Sequence, residues 1–208
     1  MFWEGVTYES LAPQQKRTIT SSSMFLKEKY TADGMFKKLK CRLVAGGHLQ
    51  DRDVHNNGAS LTASTSSIFT LTAIAARQKR AVATVDFPGA FLNSDMPLTA
   101  YHVINMRLNK QLTAALINAT CDKYMNNNET CIVKLKKALC GCVKSAKLWY
   151  DKLSSDLIKF NYIANEYDIC AFNRTESDNS QTSLVIRVDD MIITASNESR
   201  IDSRSNET

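Results

Sequence analysis

The sequence predicts an α+β domain, and three observations carry that prediction. Short β-branched apolar runs are interleaved with two amphipathic helical stretches. Asp33-Gly34 separates two strand-like runs as a hairpin turn. A second hairpin, antiparallel by its shortness, forms around an acidic pair near the C-terminal end. At 208 residues, 44% of them apolar, the chain can bury one substantial core.

Residues 1–22 show no clear period and read as a lead-in segment, loosened by Ser21, Ser22 and Ser23. Residues 24–30 and 35–45 are the two strands of the first hairpin. Residues 64–79 read as a helix: Ser and Thr offer N-caps, and Ile68, Leu71, Ile74 and Ala75 share a face. A strand over 81–86 follows, stopped by Pro88 and Gly89. Another strand is expected over 101–106, then a short helix from Asn109 to about Asn118, a polar turn at 126–128 and a strand over 130–136. Residues 145–160 form the best helix, with Trp149, Leu153, Leu157 and Phe160 facing inward. Strands over 169–173 and 183–188 are joined by a polar loop, and 196–208 is a polar tail.

The chemistry concentrates at Asp189 and Asp190. Apolar runs on both sides place these two carboxylates at a hairpin tip, where like charges repel unless a cation neutralises them. Mg²⁺ is bound by carboxylates together with substrate phosphates. An ordinary exposed turn accounts equally for two Asp residues, so the pair alone does not decide. Asp86 ends its own strand about a hundred residues upstream. Three such acids could converge on two metal ions roughly 3.5–4 Å apart, the arrangement of metal-assisted phosphoryl transfer.

Ordered blocks surround these acids. Asp86 is followed by Ala90-Phe91-Leu92-Asn93, and Arg187-Val188 precede Asp189-Asp190. Lys40 to Gly47, Leu135 to Cys142, Lys147 to Leu153 and Tyr167 to Phe172 add further blocks. Together they resemble the reverse transcriptases of copia-type (Pseudoviridae) retrotransposons, in family order over about residues 25–195. The resemblance implies fingers and palm over 23–195, with a fingers hairpin at about 24–45 and a palm at about 60–195. That palm would be a ferredoxin-like antiparallel sheet backed by helices. It also implies RNA-directed DNA polymerase chemistry, with dNTPs added to the 3′-hydroxyl of a primer on an RNA or DNA template. Asp86 and Asp189 would hold two Mg²⁺ ions, or Mn²⁺, with Asp190 an outer or alternate ligand. Phe91 would lie against the incoming sugar and exclude a 2′-hydroxyl. Arg42 and Lys144 would meet the triphosphate, and Gly141 would let the backbone approach the nucleotide. Each has a plainer reading: a core Phe, surface cations and a loop glycine.

The chain departs from the family pattern at three places. Arg187 and Cys140 each replace a tyrosine, and Phe87-Pro88 replace an aliphatic and a polar residue. An always-charged guanidinium at 187 could pair with a catalytic carboxylate and compete with metal. Thumb and ribonuclease H segments have no counterpart, so a truncated, inactive relic or a nucleic-acid-binding remnant is the alternative function.

Composition fits without deciding. The net charge of +5 suits a polyanionic partner, and cations crowd 27–42 and 134–147. Six cysteines and three histidines lack zinc-site spacing, so reduced thiols are expected. No secretion signal or membrane-length apolar run is seen. The expected setting is intracellular, in the cytoplasm or in virus-like particles.

Overall fold

A computed structural model describes residues 2–50, 61–97, 103–120 and 130–202, with the side chains of 116–120 and 202 excepted. In chain order the elements are β1 (Trp3–Val6), α1 (Pro13–Arg17), β2 (Thr20–Tyr30), β3 (Phe36–Ala45), α2 (Thr65–Arg77), β4 (Ala81–Asp86), β5 (Asn105–Arg107) and α3 (Lys110–Thr120). Then come β6 (Ile132–Leu135), α4 (Ser145–Lys159), β7 (Ile163–Ala164), β8 (Ala171–Thr175), β9 (Gln181–Arg187), β10 (Asp190–Ala195) and α5 (Ser199–Asp202). The class is α+β, with two mostly antiparallel sheets. The expected turn at 126–128 lies outside the described residues.

The chain divides into two compact units. The first comprises Met1–Gly58 and Phe91–Leu148, the second Ala59–Ala90 and Trp149–Thr208. Residues 91–148, expected within the palm, thus fall in the unit that also holds the first hairpin.

The first unit is built on the sheet β1-β6-β5-β2-β3. Residues 1–22, read from sequence as lead-in, instead supply β1, α1 and the start of β2. Four residues are too few to show a period, but β1 pairs along its whole length with β6. The core gathers Met106, Val133, Cys131 and Leu135 around Ala45 and Cys142. Beyond that core, β2 and β3 continue as a two-stranded ribbon whose pairing sorts its faces. One face carries Phe25, Lys27, Lys29, Lys38, Lys40 and Arg42. The other carries Met24, Leu26, Glu28, Leu39, Cys41 and Leu43. The turn is completed by Gly34 at φ 79°, as the Asp-Gly signal implies.

The second unit is the antiparallel sheet β4-β10-β9-β8-β7, with β7 to β10 a sequential meander. α2 is capped at Ser64, whose hydroxyl accepts from the Ser67 amide. Its Leu71 and Ala75 are buried as expected, whereas Ile74 is exposed. Leu71 and Ile68 share a cluster with Val185, Ile192, Cys170 and Tyr150. On α4, Trp149, Leu153 and Leu157 are buried. Phe160 is instead 40% exposed, because the helix ends before it. The polar tail begins with α5, where Arg200 bonds Glu176 at 3.2 Å and Asp178 at 2.7 Å.

Asp168 anchors the start of α2. It accepts from the Ser64 amide at 2.9 Å, the Ser67 hydroxyl at 2.6 Å and the Cys170 amide at 3.0 Å. Partial burial pushes its carboxyl upward, but these donors outweigh it and hold the group below its ordinary 3.8. A carboxyl depressed on folding contributes its full stability above pH 3.8 and loses it below that, as pH falls through the lower folded value. Asp168→Asn is therefore expected to cost about 1 kcal/mol at pH 7, a figure kept small because the group is half-exposed. Urea unfolding should show the gap to wild type closing in acid.

Candidate active site

The alternation of β4 decides where its carboxylate goes. Val82, Thr84 and Asp86 are exposed while Ala81, Ala83 and Val85 are half-buried. β10 pairs with β4 so that Asp190 lies directly opposite Asp86, and β9 pairs with β10 so that Arg187 lies opposite Asp190. Directly opposed residues in an antiparallel sheet project to the same face. Asp86, Asp190 and Arg187 therefore form a row across three strands, extended by a bridge from Arg187 to Thr62. The same face continues inward as Thr84, Ile192 and Val185, so the charged row stands where its apolar packing stops.

The hairpin tip differs by one residue from the sequence expectation. Val188 and Asp189 form the turn, and Asp190 is already the first residue of β10. Val188 takes φ 59°, a conformation that a β-branched residue rarely adopts. Two contacts hold it there. The buried Trp149 donates its indole N–H to the Val188 carbonyl at 2.6 Å, and the Phe87 amide donates to the Asp189 carbonyl at 2.9 Å. The Phe87 ring meets Trp149 edge-on at 5.3 Å, so Phe87 braces the turn beside the acids. Its spacing in the sequence gives Trp149 an inward-facing packing position. The available signal was its indole N–H, which needs a partner once buried.

Asp86, Asp189 and Asp190 are all exposed. Among the described residues, no three His, Cys, Asp or Glu side chains are gathered closely enough to enclose a metal ion. The donor set still fits Mg²⁺ chemistry, which asks for one or two carboxylates and leaves the other positions to water and phosphate. The cross-strand pair Asp86 and Asp190 could supply those carboxylates, with Asp189 adjacent at the turn.

A family model described as reverse transcriptase (RNA-dependent DNA polymerase) matches residues 6–207. The chain belongs to the reverse transcriptase family. No curated protein and no solved structure matches it. In this reverse transcriptase, the three acids lie in the second unit, whereas Arg42, Phe91, Gly141 and Lys144 all lie in the first. Arg42 is exposed on the basic ribbon face opposite Phe25. Phe91 is half-buried in a 3-10 turn over Ala90–Asn93, and Lys144 is half-buried just before α4.

Gly141 has a role inside the protein. It takes φ 91°, and a Cβ there would fall well inside contact distance of the Ala45 carbonyl oxygen. Ala45 in turn donates its amide to the Cys140 carbonyl at 2.8 Å, which is what residue 140 contributes to the loop. Gly47 faces the Gly141 carbonyl just as tightly. Two glycines thus lock the loop after β6 onto the end of β3.

Arg187, expected as a possible partner of a catalytic carboxylate, forms no ion pair among the described residues. Its neighbour by register is Asp190 rather than Asp189. Cys41, Cys140, Cys142 and Cys170 are free thiols, and burial pushes the Cys142 and Cys170 thiols up to about 11. No described helix is long and apolar enough to cross a membrane.

Trp149→Phe keeps an aromatic ring, but a smaller one, and removes the donor to Val188. It is expected to cost about 1–2 kcal/mol in unfolding. It should also lower nucleotide incorporation about tenfold through a loosened turn, which primer extension would measure.

Proposed function

We propose that the chain is the fingers and palm of a copia-type retrotransposon reverse transcriptase, an RNA-directed DNA polymerase. The observation that carries the proposal is the cross-strand pair Asp86 and Asp190, with Asp189 at the adjoining turn, in a chain of this family. The second unit is the palm. Its β4, α4, β9 and β10 follow the β-α-β-β order, with strands arranged β4-β10-β9, that begins a ferredoxin-like fold. The first unit supplies the fingers, with the β2–β3 ribbon as their hairpin.

Asp86, Asp190 and Asp189 would hold two Mg²⁺ or Mn²⁺ ions. When bound, these lower the pKa of the primer 3′-hydroxyl and offset charge on the transferred phosphoryl group. The aspartates fix where that charge is concentrated, and the braced turn keeps Asp189 and Asp190 beside Asp86. Arg42 and Lys144 contact the triphosphate, Phe91 rejects the ribose 2′-hydroxyl, and Gly141 leaves backbone close to the nucleotide. The partners are a primed RNA or DNA template and dNTPs, met in the cytoplasm or in virus-like particles.

The alternative is a nucleic-acid-binding remnant, favoured by the absence of an enclosed three-acid cluster among the described residues. Primer extension on a polyribonucleotide template with Mg²⁺ or Mn²⁺ separates the two. Metal-dependent incorporation of dNTPs supports the polymerase; primer-template binding without incorporation supports the remnant.

A further inference from the structure

We propose that Arg187 restrains divalent-metal binding by the free protein, acting as a fixed cation beside Asp190. The inference rests on reading Asp86, Asp189 and Asp190 as the metal ligands, and goes further by assigning a function to the residue next to them.

Three observations carry it. Register places Asp190 between Asp86 on β4 and Arg187 on β9, with all three side chains on one face. Arg187 is exposed and forms no ion pair among the described residues, so no other acid among them neutralises its charge. Its neighbour on the far side is Thr62, which is neutral. By register, the charged residue beside Arg187 on this face is Asp190.

Cβ atoms of opposed residues lie about 4.5–5.5 Å apart, within reach of an arginine side chain. Arginine stays protonated at any working pH, so its charge is constant. A unit charge roughly 7 Å from a divalent ion, largely in water and partly screened, weakens binding about three- to tenfold. An anionic phosphate entering the site would relieve that repulsion. The residue therefore disfavours metal on the free protein more than on a protein that has taken substrate.

The test is a titration of the full chain with Mn²⁺, without nucleic acid or nucleotide, reading free Mn²⁺ by electron paramagnetic resonance. Arg187→Gln is expected to tighten Mn²⁺ binding about three- to tenfold, by an amount that shrinks as salt rises. Arg187→Lys, which keeps the charge, should match wild type within about twofold. Asp190→Asn should weaken binding in either background.

If Asp190→Asn weakens binding but Arg187→Gln leaves it unchanged, the proposal is overturned while the metal site stands. Tightening by Lys as strong as by Gln also overturns it, because the effect would not be one of charge. If neither wild type nor Arg187→Gln binds Mn²⁺ saturably, both the proposal and the metal-ligand reading fail.

Discussion

Asp190→Asn and Asp86→Asn are each expected to lower metal-dependent nucleotide incorporation by at least about 100-fold. Primer-template affinity should change by no more than about twofold, because neither side chain is a cation for phosphate. Stability should not fall. Both carboxylates are exposed and directly opposed across β4 and β10, so removing Asp86 relieves repulsion, while removing Asp190 sets that relief against a lost attraction to Arg187. A large loss of activity with unchanged or slightly raised thermal stability is the signature of residues kept for chemistry. Extension rates and thermal unfolding of the same preparations give both numbers. A parallel loss of stability would mean that the acids hold the sheet together.

Gly141→Ala is expected to give the largest stability loss, about 2–4 kcal/mol. The new methyl would be forced against the Ala45 carbonyl and the Val44 side chain, in a backbone conformation at φ 91° that L residues avoid. Gly34→Ala is the control. Its φ is 79°, but nothing lies within 4 Å of the added carbon, so only the conformational cost of about 1 kcal/mol remains. Chemical denaturation of the two variants separates strain from collision. Equal losses would show that Gly141 is needed for its dihedral angle alone.

Local pattern made much of the scaffold legible. α2 and α4 begin within a residue of their expected starts because Ser64 is a genuine cap and the Trp149-Leu153-Leu157 spacing is helical. The first hairpin was readable from Asp33-Gly34, and the strand to Asp86 from its apolar run and the Pro88-Gly89 stop. What sequence could not supply was long-range pairing. Asp residues favour turns, so the acidic pair itself looked like the tip. Pairing with β4 instead draws Asp190 into the strand and forces Val188 into a conformation its own side chain disfavours. Trp149 and Phe87 hold that turn from outside the hairpin, and neither contact is visible locally. β1 was missed for the same reason, since only β6 makes it a strand. The expectation for Gly141 concerns the nucleotide or template base pair; its packing against Ala45 is a long-range contact that no local signal carries.

Asp86 and Asp190, with Asp189 at the adjoining turn, are proposed to hold the metal. Anomalous diffraction from crystals soaked in Mn²⁺ tests this most directly. An anomalous peak is expected between the Asp86 and Asp190 carboxylates, within about 2.0–2.6 Å of an oxygen from each, and is lost in Asp190→Asn. A peak at other residues, or an ordered and empty carboxylate pair at saturating Mn²⁺, would contradict it.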